Sequence, residues 1–265
     1  MSLTLAFGDD RSAEADICWD WIRSHHWQGW SLEIVTAEPP EDMHPVPPEE
    51  ADLHPWEPPS PRDATESGFV SVGHLRAEID PRVALIAKPW DLVAIGPRGS
   101  GLLKRLHLGS TADWLLREPT SPLVIAHRPG RVDQVLFAAD GSPHARRALE
   151  CLVSLPWITR ATVHVLSVDD GHVDVEQAAG EAEEHLADAG VGSRRIIRPG
   201  KPARVILEEC DDKNPDLVVM GARGITGLKR LMIGSSTAAV AGGTDHSLLV
   251  AHARSDEGSG GRQIS

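Results

Sequence analysis

Residues 217–224 read Leu-Val-Val-Met-Gly-Ala-Arg-Gly, and nine residues later the chain continues with Gly234-Ser235-Ser236. The apolar run predicts a buried strand, and the small residues after it predict a turn into a helix. Glycine lets the backbone approach a bulky anion, and the free amides at the start of a helix favour negative charge. This stretch therefore predicts a phosphate site at the end of a strand in an α/β sheet.

The same pattern occurs once more, 125 residues earlier in the chain. The apolar run Leu-Val-Ala-Ile at 92–95 precedes Gly96-Pro97-Arg98-Gly99, and after nine residues comes Gly109-Ser110-Thr111. Each copy is followed by a segment with a helical pattern. The repeat predicts two related halves, each with its own nucleotide-phosphate site.

Matching elements extend through the rest of both halves. First strands are predicted at 3–7 and 135–139, and each leads to an acidic residue and a serine that open a helix, Asp10 with Ser12 and Asp140 with Ser142. Continuous apolar strands between helices predict a parallel sheet covered on both faces. Ligands of such sheets bind at the carboxyl ends of the strands, so each Asp should converge with a glycine pattern on one crevice.

These elements predict an α/β fold of two tandem, doubly wound domains. We expect a first domain at 1–129, a second at 130–254 and a disordered Gly- and Ser-rich tail at 255–265. Residues 37–64 contain nine prolines and eight acidic residues against one arginine. Such a composition does not sustain a helix, so this segment is predicted to be a surface loop in place of one.

The net charge, the apolar runs and the cysteines indicate which partners and which cellular setting to expect. The formal charge of −13 argues against general affinity for nucleic acid or an anionic membrane. The first residues read as a strand, not as a signal peptide, and no apolar run approaches the ~20 residues that span a bilayer. The three cysteines lack metal or redox spacing, which favours a reduced, cytoplasmic setting.

With its order of elements and its doubled Gly-x₂-Gly-x₉-Gly-Ser/Thr pattern, the chain resembles the universal stress protein family in its tandem form, over residues 3–128 and 132–253. The resemblance implies a five-stranded parallel sheet flanked by helices in each domain. It also implies a pseudo-two-fold axis through the closing strands, an intramolecular pseudo-dimer that could dimerise further. The glycine pattern is that of family members that bind ATP, and Mg²⁺ would accompany the phosphates.

The resemblance also implies individual site residues. Asp10 and Asp140 would lie beside the adenosine, and the backbone of Val168 would contact adenine. The phosphates would be held by the glycine turns and by the amides and hydroxyls of the following helix start: Gly96, Gly99, Gly109, Ser110 and Thr111 in the first half, and Gly221, Gly224, Gly234, Ser235 and Ser236 in the second.

Simpler interpretations of these residues remain open. The glycines can be ordinary strand-to-helix turns, and the two aspartates can be helix N-caps alone. The first half also departs from the family pattern, with Asp9-Asp10-Arg11 in place of Asp-Gly, with Pro97 inside the glycine turn and with the proline-rich loop. Occupancy is therefore expected first in the second half.

Several polar and aromatic residues receive structural interpretations. Lys104, Arg105, Lys229 and Arg230 are interpreted as a solvated basic rim, and His127 and His252 as polar residues at strand ends. His25, His26, His44 and His54 lack metal-site spacing. Seven of the eight tryptophans lie in the first half; Trp21, Trp27 and Trp30 are predicted to fill the core, with a partner surface as the alternative.

The functional hypothesis is a cytoplasmic, ATP-binding stress-response protein in which nucleotide occupancy signals to an unknown protein partner. The chain contains no P-loop and no nucleophile elbow, so at most weak ATP hydrolysis is expected. The alternatives are an interaction or structural protein that binds no nucleotide, and a slow ATPase or adenosine-transfer enzyme on the same fold.

Overall fold

The computed structural model describes residues 2–38, 51–98, 108–118, 121–224 and 233–254. The strands and helices of the first half are β1 (Leu3–Gly8), α1 (Ala13–Arg23), β2 (Trp30–Ala37), β3 (His54–Pro55), β4 (Val72–Ala77), α2 (Pro81–Ile86), β5 (Leu92–Ile95), α3 (Ser110–Arg117) and β6 (Leu123–Ile125). Those of the second half are β7 (Gln134–Ala138), α4 (Pro143–Ser154), β8 (Thr162–Asp169), α5 (Val175–Asp188), β9 (Gly192–Pro199), α6 (Pro202–Lys213), β10 (Leu217–Gly221), α7 (Ser235–Gly243) and β11 (Ser247–Ala251).

All described strands belong to one sheet in the order β3-β4-β2-β1-β5-β6-β11-β10-β7-β8-β9. Within each half, five strands run parallel in the same relative order, β4-β2-β1-β5-β6 and β9-β8-β7-β10-β11. The two-residue β3 adds an antiparallel edge beside β4. The predicted α/β fold class is confirmed, whereas the exact domain boundaries stay predictions.

The two halves meet where their closing strands pair. β6 and β11 are antiparallel, with Leu123 opposite Val250, Val124 opposite Leu249 and Ile125 opposite Leu248. This pairing is symmetric about Val124 and Leu249, so a pseudo-two-fold axis passes through the middle of the sheet. The edge that each half would otherwise expose is thereby hydrogen-bonded to the other half.

A buried apolar layer covers each face of the sheet, and both layers contain residues of both halves. Helices α1, α4 and α5 supply one layer. Helices α2, α3, α6 and α7 supply the other. None of the helices within the described ranges is long and apolar enough to cross a membrane.

An aromatic cluster joins the halves on the α1 and α4 face. The side chains of Trp21, Trp27 and Trp30 are at most 2% exposed, which confirms that they belong to the core. The ring of Trp157 from the second half lies 5.9 Å from that of Trp21 and 6.0 Å from that of Trp27, edge to face. The indole nitrogen of Trp30 donates across the interface to the carbonyl of Ser154 at 3.3 Å.

His25 completes this cluster as a neutral imidazole. Its Nδ1 donates to the carbonyl of Trp21 at 2.7 Å, and its Nε2 accepts from the amide of Val132 at 3.1 Å. The ring stacks on Trp157 with centroids 4.0 Å apart. Burial lowers the pKa of His25 to about 4, so near neutral pH the ring is uncharged and can both donate and accept.

Part of the proline-rich segment packs against the first half. The described residues 51–64 contain no α-helix, while residues 39–50 and the tail from 255 lie outside the described part of the chain. Arg62 belongs to this segment, and its guanidinium lies 5.9 Å from the ring centroids of both Phe7 and Trp19. Its side chain is only 12% exposed. The sequence interpretation as a plain surface loop therefore missed a buried anchor.

We predict that His25 makes the fold sensitive to acid. Its folded-state pKa lies below the ordinary value of 6.5, so its stabilising effect is complete above pH 6.5 and is lost as the pH falls towards 4. Between pH 7 and pH 5 this group alone should cost about 2 kcal/mol of unfolding free energy. In His25→Gln the loss of unfolding free energy between pH 7 and pH 5 should be smaller by that amount. Urea unfolding at both pH values measures this difference.

The exposed His54 provides the matched control, because the same substitution there replaces a side chain that lies at the surface. His54→Gln should keep the wild-type dependence on pH. An unchanged dependence in His25→Gln would contradict the role given to this ring.

Candidate functional site

The turn after β7 shapes one side of the candidate site in the second half. Asp140 Oδ1 accepts from the amide of Ser142 at 2.9 Å, and Ser142 Oγ accepts from the amide of Ala145 at 3.1 Å. Gly141 between them has a φ of +70°, a left-handed conformation that favours glycine. The N-cap of α4 is thus Ser142, and the alternative that Asp140 is the cap is wrong. The Asp140 carboxylate instead stabilises the turn.

The glycine turn after β10 lies directly against this first turn. Ser142 Oγ donates to the carbonyl of Arg223 at 3.2 Å. A Cβ on Gly221 would lie 2.6 Å from the amide nitrogen of Ala145, and one on Gly224 would lie 2.8 Å from Asp140 Oδ2. At Gly221 the neighbouring atom is main chain, so a side chain there would require a backbone shift, and this glycine allows the two turns to meet. At Gly224 the neighbour is a side-chain carboxylate, which can move.

Helix α7 starts beside the same turns. The amide of Gly234 donates to the carbonyl of Ala222 at 2.8 Å. A Cβ there would lie 3.3 Å from that carbonyl oxygen and from the Cα of Arg223. Gly234 is the N-cap and provides no side chain to the first amides of the helix. Ser235 is exposed and Ser236 half-buried in this first turn, an arrangement suited to an anion.

The structure thus brings the predicted residues of the second half to one edge of the sheet. Val168 is 7% exposed on β8, two positions beyond Leu166, which pairs with Ala138 at the end of β7. Thr237, which the sequence reasoning did not single out, fixes the geometry by donating from Oγ1 to the carbonyl of Gly221 at 2.9 Å. Residues 225–232, with Lys229 and Arg230, lie outside the described residues.

Two histidines border the site on the side of the first half. The amide of Ala253 donates to His144 Nδ1 at 2.9 Å, and burial, with Arg223 nearby, lowers the pKa of His144. His252 Nε2 donates to the carbonyl of Leu116 in α3 at 3.0 Å. Burial lowers the pKa of His252 to about 4. His252 is therefore more than a polar strand end, because it joins the second site to the first half.

The first half repeats the same scaffold. Asp10 Oδ1 accepts from the amide of Ser12 at 3.0 Å, and Ser12, not Asp10, is the N-cap of α1. A Cβ on Gly96 would lie 2.5 Å from the carbonyl oxygen of Glu14. The amide of Gly109 donates to the carbonyl of Pro97 at 2.7 Å, just before Ser110 and Thr111 open α3. Gly99, Lys104 and Arg105 lie outside the described residues.

A buried ion pair distinguishes the first half. Asp9, at the position of Ala139, has a side chain with 0% exposure. It accepts from Arg62 at 2.9 Å and 2.7 Å and from the amide of Arg11 at 3.1 Å. Arg62 also donates to Asp16 at 2.6 Å, and these hydrogen bonds, chiefly those of Asp9, raise its pKa further above the usual range. Arg11 takes the place of Gly141, with a φ of +59°.

The described residues do not provide a protein metal centre. Among them, no group of three or more histidine, cysteine, aspartate or glutamate side chains is placed to hold a metal ion.

Comparisons with known proteins point to one family. A profile described as the Universal stress protein family matches residues 131–252. Universal stress protein YxiE of Bacillus subtilis is 30% identical over 129 residues, which cover 39% of this chain and 87% of that protein. Universal stress protein Slr1230 of Synechocystis sp. is 28% identical over 155 residues, 57% of this chain. The match spans about half of the Slr1230 chain, 54%.

A solved structure supports the fold over nearly the whole length. The crystal structure of a universal stress protein from Archaeoglobus fulgidus superposes with a TM-score of 0.66, covering 96% of this chain and 97% of its own. At 19% identity, this likeness concerns the fold.

We predict that Gly221→Ala destabilises the second half, because its Cβ would lie 2.6 Å from a main-chain nitrogen of α4. Overpacking of this kind costs about 1–3 kcal/mol of unfolding free energy. The control is Gly242→Ala in α7, where a Cβ would meet nothing within 4 Å. It should be neutral or stabilising by up to about 1 kcal/mol, since alanine favours a helix. Urea unfolding measures both, and equal stability of the two variants would contradict the close approach.

We further predict that Arg62→Met destabilises the first half by about 3 kcal/mol, because the buried Asp9 carboxylate keeps only the more exposed Arg11 as an ion-pair partner, at 3.1 Å. The double variant Asp9→Ala with Arg62→Met should recover most of the loss. Arg117→Met is the control, since its ion pair with Asp113 is exposed at 43% and 51% and such pairs contribute at most about 1 kcal/mol. Chemical unfolding that shows no recovery in the double variant would refute this account.

Proposed function

The chain belongs to the universal stress protein family, and from this membership we propose that its second half binds ATP together with Mg²⁺. The proposed site lies between the Asp140 turn, the glycine turn at 221–224 and the start of α7. The observation on which the proposal rests is the close approach of these turns, where a Cβ on Gly224 would lie 2.8 Å from the Asp140 carboxylate. At such a junction, backbone amides and a carboxylate would lie close enough together to contact one nucleotide.

The phosphates would lie at the first turn of α7. Gly234 leaves the helix start without a side-chain cap, so the amides of Ser235 and Ser236 and their hydroxyls are suited to donate to phosphate oxygens. The hydroxyl of Thr237 already donates to Gly221, so it supports the turn instead of the ligand. Gly221 and Gly224 would allow the phosphates to approach the main chain.

The adenosine would lie on the side of β7 and β8. Asp140 uses Oδ1 for the amide of Ser142, and its other oxygen faces the glycine turn, where it could accept from a ribose hydroxyl. The backbone of Val168, at the end of β8, would contact adenine. Mg²⁺ would neutralise phosphate charge and would be held mainly by phosphate oxygens, because the described residues offer it no carboxylate cluster.

The first half is proposed as the weaker site. It has the Asp10 turn, Gly96 and Gly109, but Arg11 replaces a glycine and the Asp9–Arg62 pair lies behind the turn. The cationic side chain of Arg11 at the turn, and the segment that Arg62 attaches to Asp9, would alter the adenosine side of the crevice. We propose that this half, with the aromatic cluster, transmits occupancy to a protein partner in the cytoplasm. ATP can shift the protein between a state that binds the partner and a state that does not only if its affinities for these two states differ.

We predict that isothermal titration of the nucleotide-stripped protein with Mg-ATP gives one dominant site per chain. Asp140→Ala should weaken binding about tenfold or more, as expected from losing about 1.4 kcal/mol of binding free energy. Its unfolding free energy should fall by only about 1 kcal/mol, for the lost turn hydrogen bond.

Asp10→Ala is the matched control, because it removes the same turn hydrogen bond in the first half. It should leave the dominant isotherm unchanged. Folded wild-type protein that gives no heat of binding would refute the proposal, and an equal loss of affinity in both variants would refute the preference for the second half.

A further inference from the structure

The second half contains a cavity of about 120 Å³ between α4, α5 and the sheet. Its walls are apolar, and its mouth carries Arg146, Glu150, Glu181 and His185. The apolar side chains in its wall are those of Phe137, Ala139, Ala145, Leu149, Ala178 and Ala182.

The sheet register identifies the equivalent place in the first half. Leu5 of β1 pairs with Leu92 of β5, as Val135 of β7 pairs with Leu217 of β10. Ser12 and Ser142 then cap the next helices in the same way. The four wall residues Phe137, Ala139, Ala145 and Leu149 therefore correspond to Phe7, Asp9, Ala15 and Trp19.

In the first half this place is filled from within the chain. The indole of Trp19 stacks on Phe7 with centroids 5.7 Å apart. The guanidinium of Arg62 lies 5.9 Å from both rings and is paired with Asp9. In the second half the smaller Leu149 and Ala139 occupy two of these positions, and α5 contributes only the alanines Ala178 and Ala182 to the inner wall.

We propose that this cavity is a binding site for a small, neutral aromatic molecule of the indole or phenol class. A planar ring would take the place that an indole and a guanidinium fill in the first half, with Phe137 available for stacking. An apolar cavity of similar size, about 150 Å³, is known to bind benzene.

The charges define the ligand further. Asp9, which pairs with the cation in the first half, is replaced by Ala139, so a charged group inside would lose its hydration without compensation. At the mouth, Arg147 donates to one carboxylate oxygen of Glu150 at 3.2 Å. Gln177 donates to one carboxylate oxygen of Glu181 at 2.8 Å. The second oxygen of each carboxylate can accept from the N–H or O–H of a neutral ring.

The cavity differs from the proposed nucleotide site. Ala139 and Gly141 of its wall flank Asp140, and Ala145 lies against Gly221, whereas the glycines at 221, 224 and 234 are not in its wall. Binding of a ring in this cavity does not require bound ATP.

The test is a titration of the full chain with indole, followed by calorimetry and by the methyl NMR signals of the alanines. We expect saturable binding of one indole per chain, with the largest shifts at the methyls of Ala178 and Ala182. Ala182→Leu, which fills the cavity, should weaken binding at least about tenfold. Ala187→Leu, the same change on the exposed face of α5, should leave the affinity unchanged.

Leu149→Trp provides a second filling variant, because it introduces the residue that the first half has at this position. It should also abolish indole binding. Absence of saturable binding to the wild-type chain would overturn the proposal, as would shifts confined to other alanines or wild-type affinity in both filling variants.

Discussion

The antiparallel pairing of β6 with β11 is the contact on which the rest of this architecture depends. It turns two five-stranded sheets into one and leaves neither closing strand as an open edge. Because the pairing is antiparallel, the strands of the two halves point in opposite directions. Their carboxyl ends, with the Asp10 and Asp140 turns, consequently lie at opposite edges of the continuous sheet, so each candidate site has to be built from its own half.

The two halves use this shared scaffold differently. The turns at Asp10 and Asp140, their serine caps and the close approach of Gly96 and Gly221 to the first helix are nearly the same. What differs is the space behind the turn, where the first half has a buried ion pair and an indole and the second has a cavity. The backbone geometry at the edge is thus maintained, while the side chains behind it have diverged.

Much of this could be predicted from the sequence, because the determining signals are local. Apolar runs, the spacing of the glycines and the Asp–Ser pairs place the strands, the turns and the site edge. The Asp9–Arg62 pair could not be predicted, since 53 residues separate its members and the proline-rich composition between them suggests a loop. The doubled aspartate at 9 and 10 was the available signal. The placement of Trp157 also depends on how the halves dock, which no local pattern specifies.

The aromatic cluster between the halves has a consequence for the ancestry and exchange of such domains. In a symmetric homodimer every contact away from the axis occurs twice, and a residue on the axis meets its own copy, so the interface has to be self-complementary. Trp27 and Trp157 occupy equivalent places after the first helix of their respective halves, and they meet near the axis as a residue and its copy would. His25 and Trp21 have Leu155 and Cys151 at the corresponding places, so this part of the interface is heterologous. Because the halves are joined in one polypeptide, these positions need not be self-complementary, and two copies of either half would not reproduce this set of contacts.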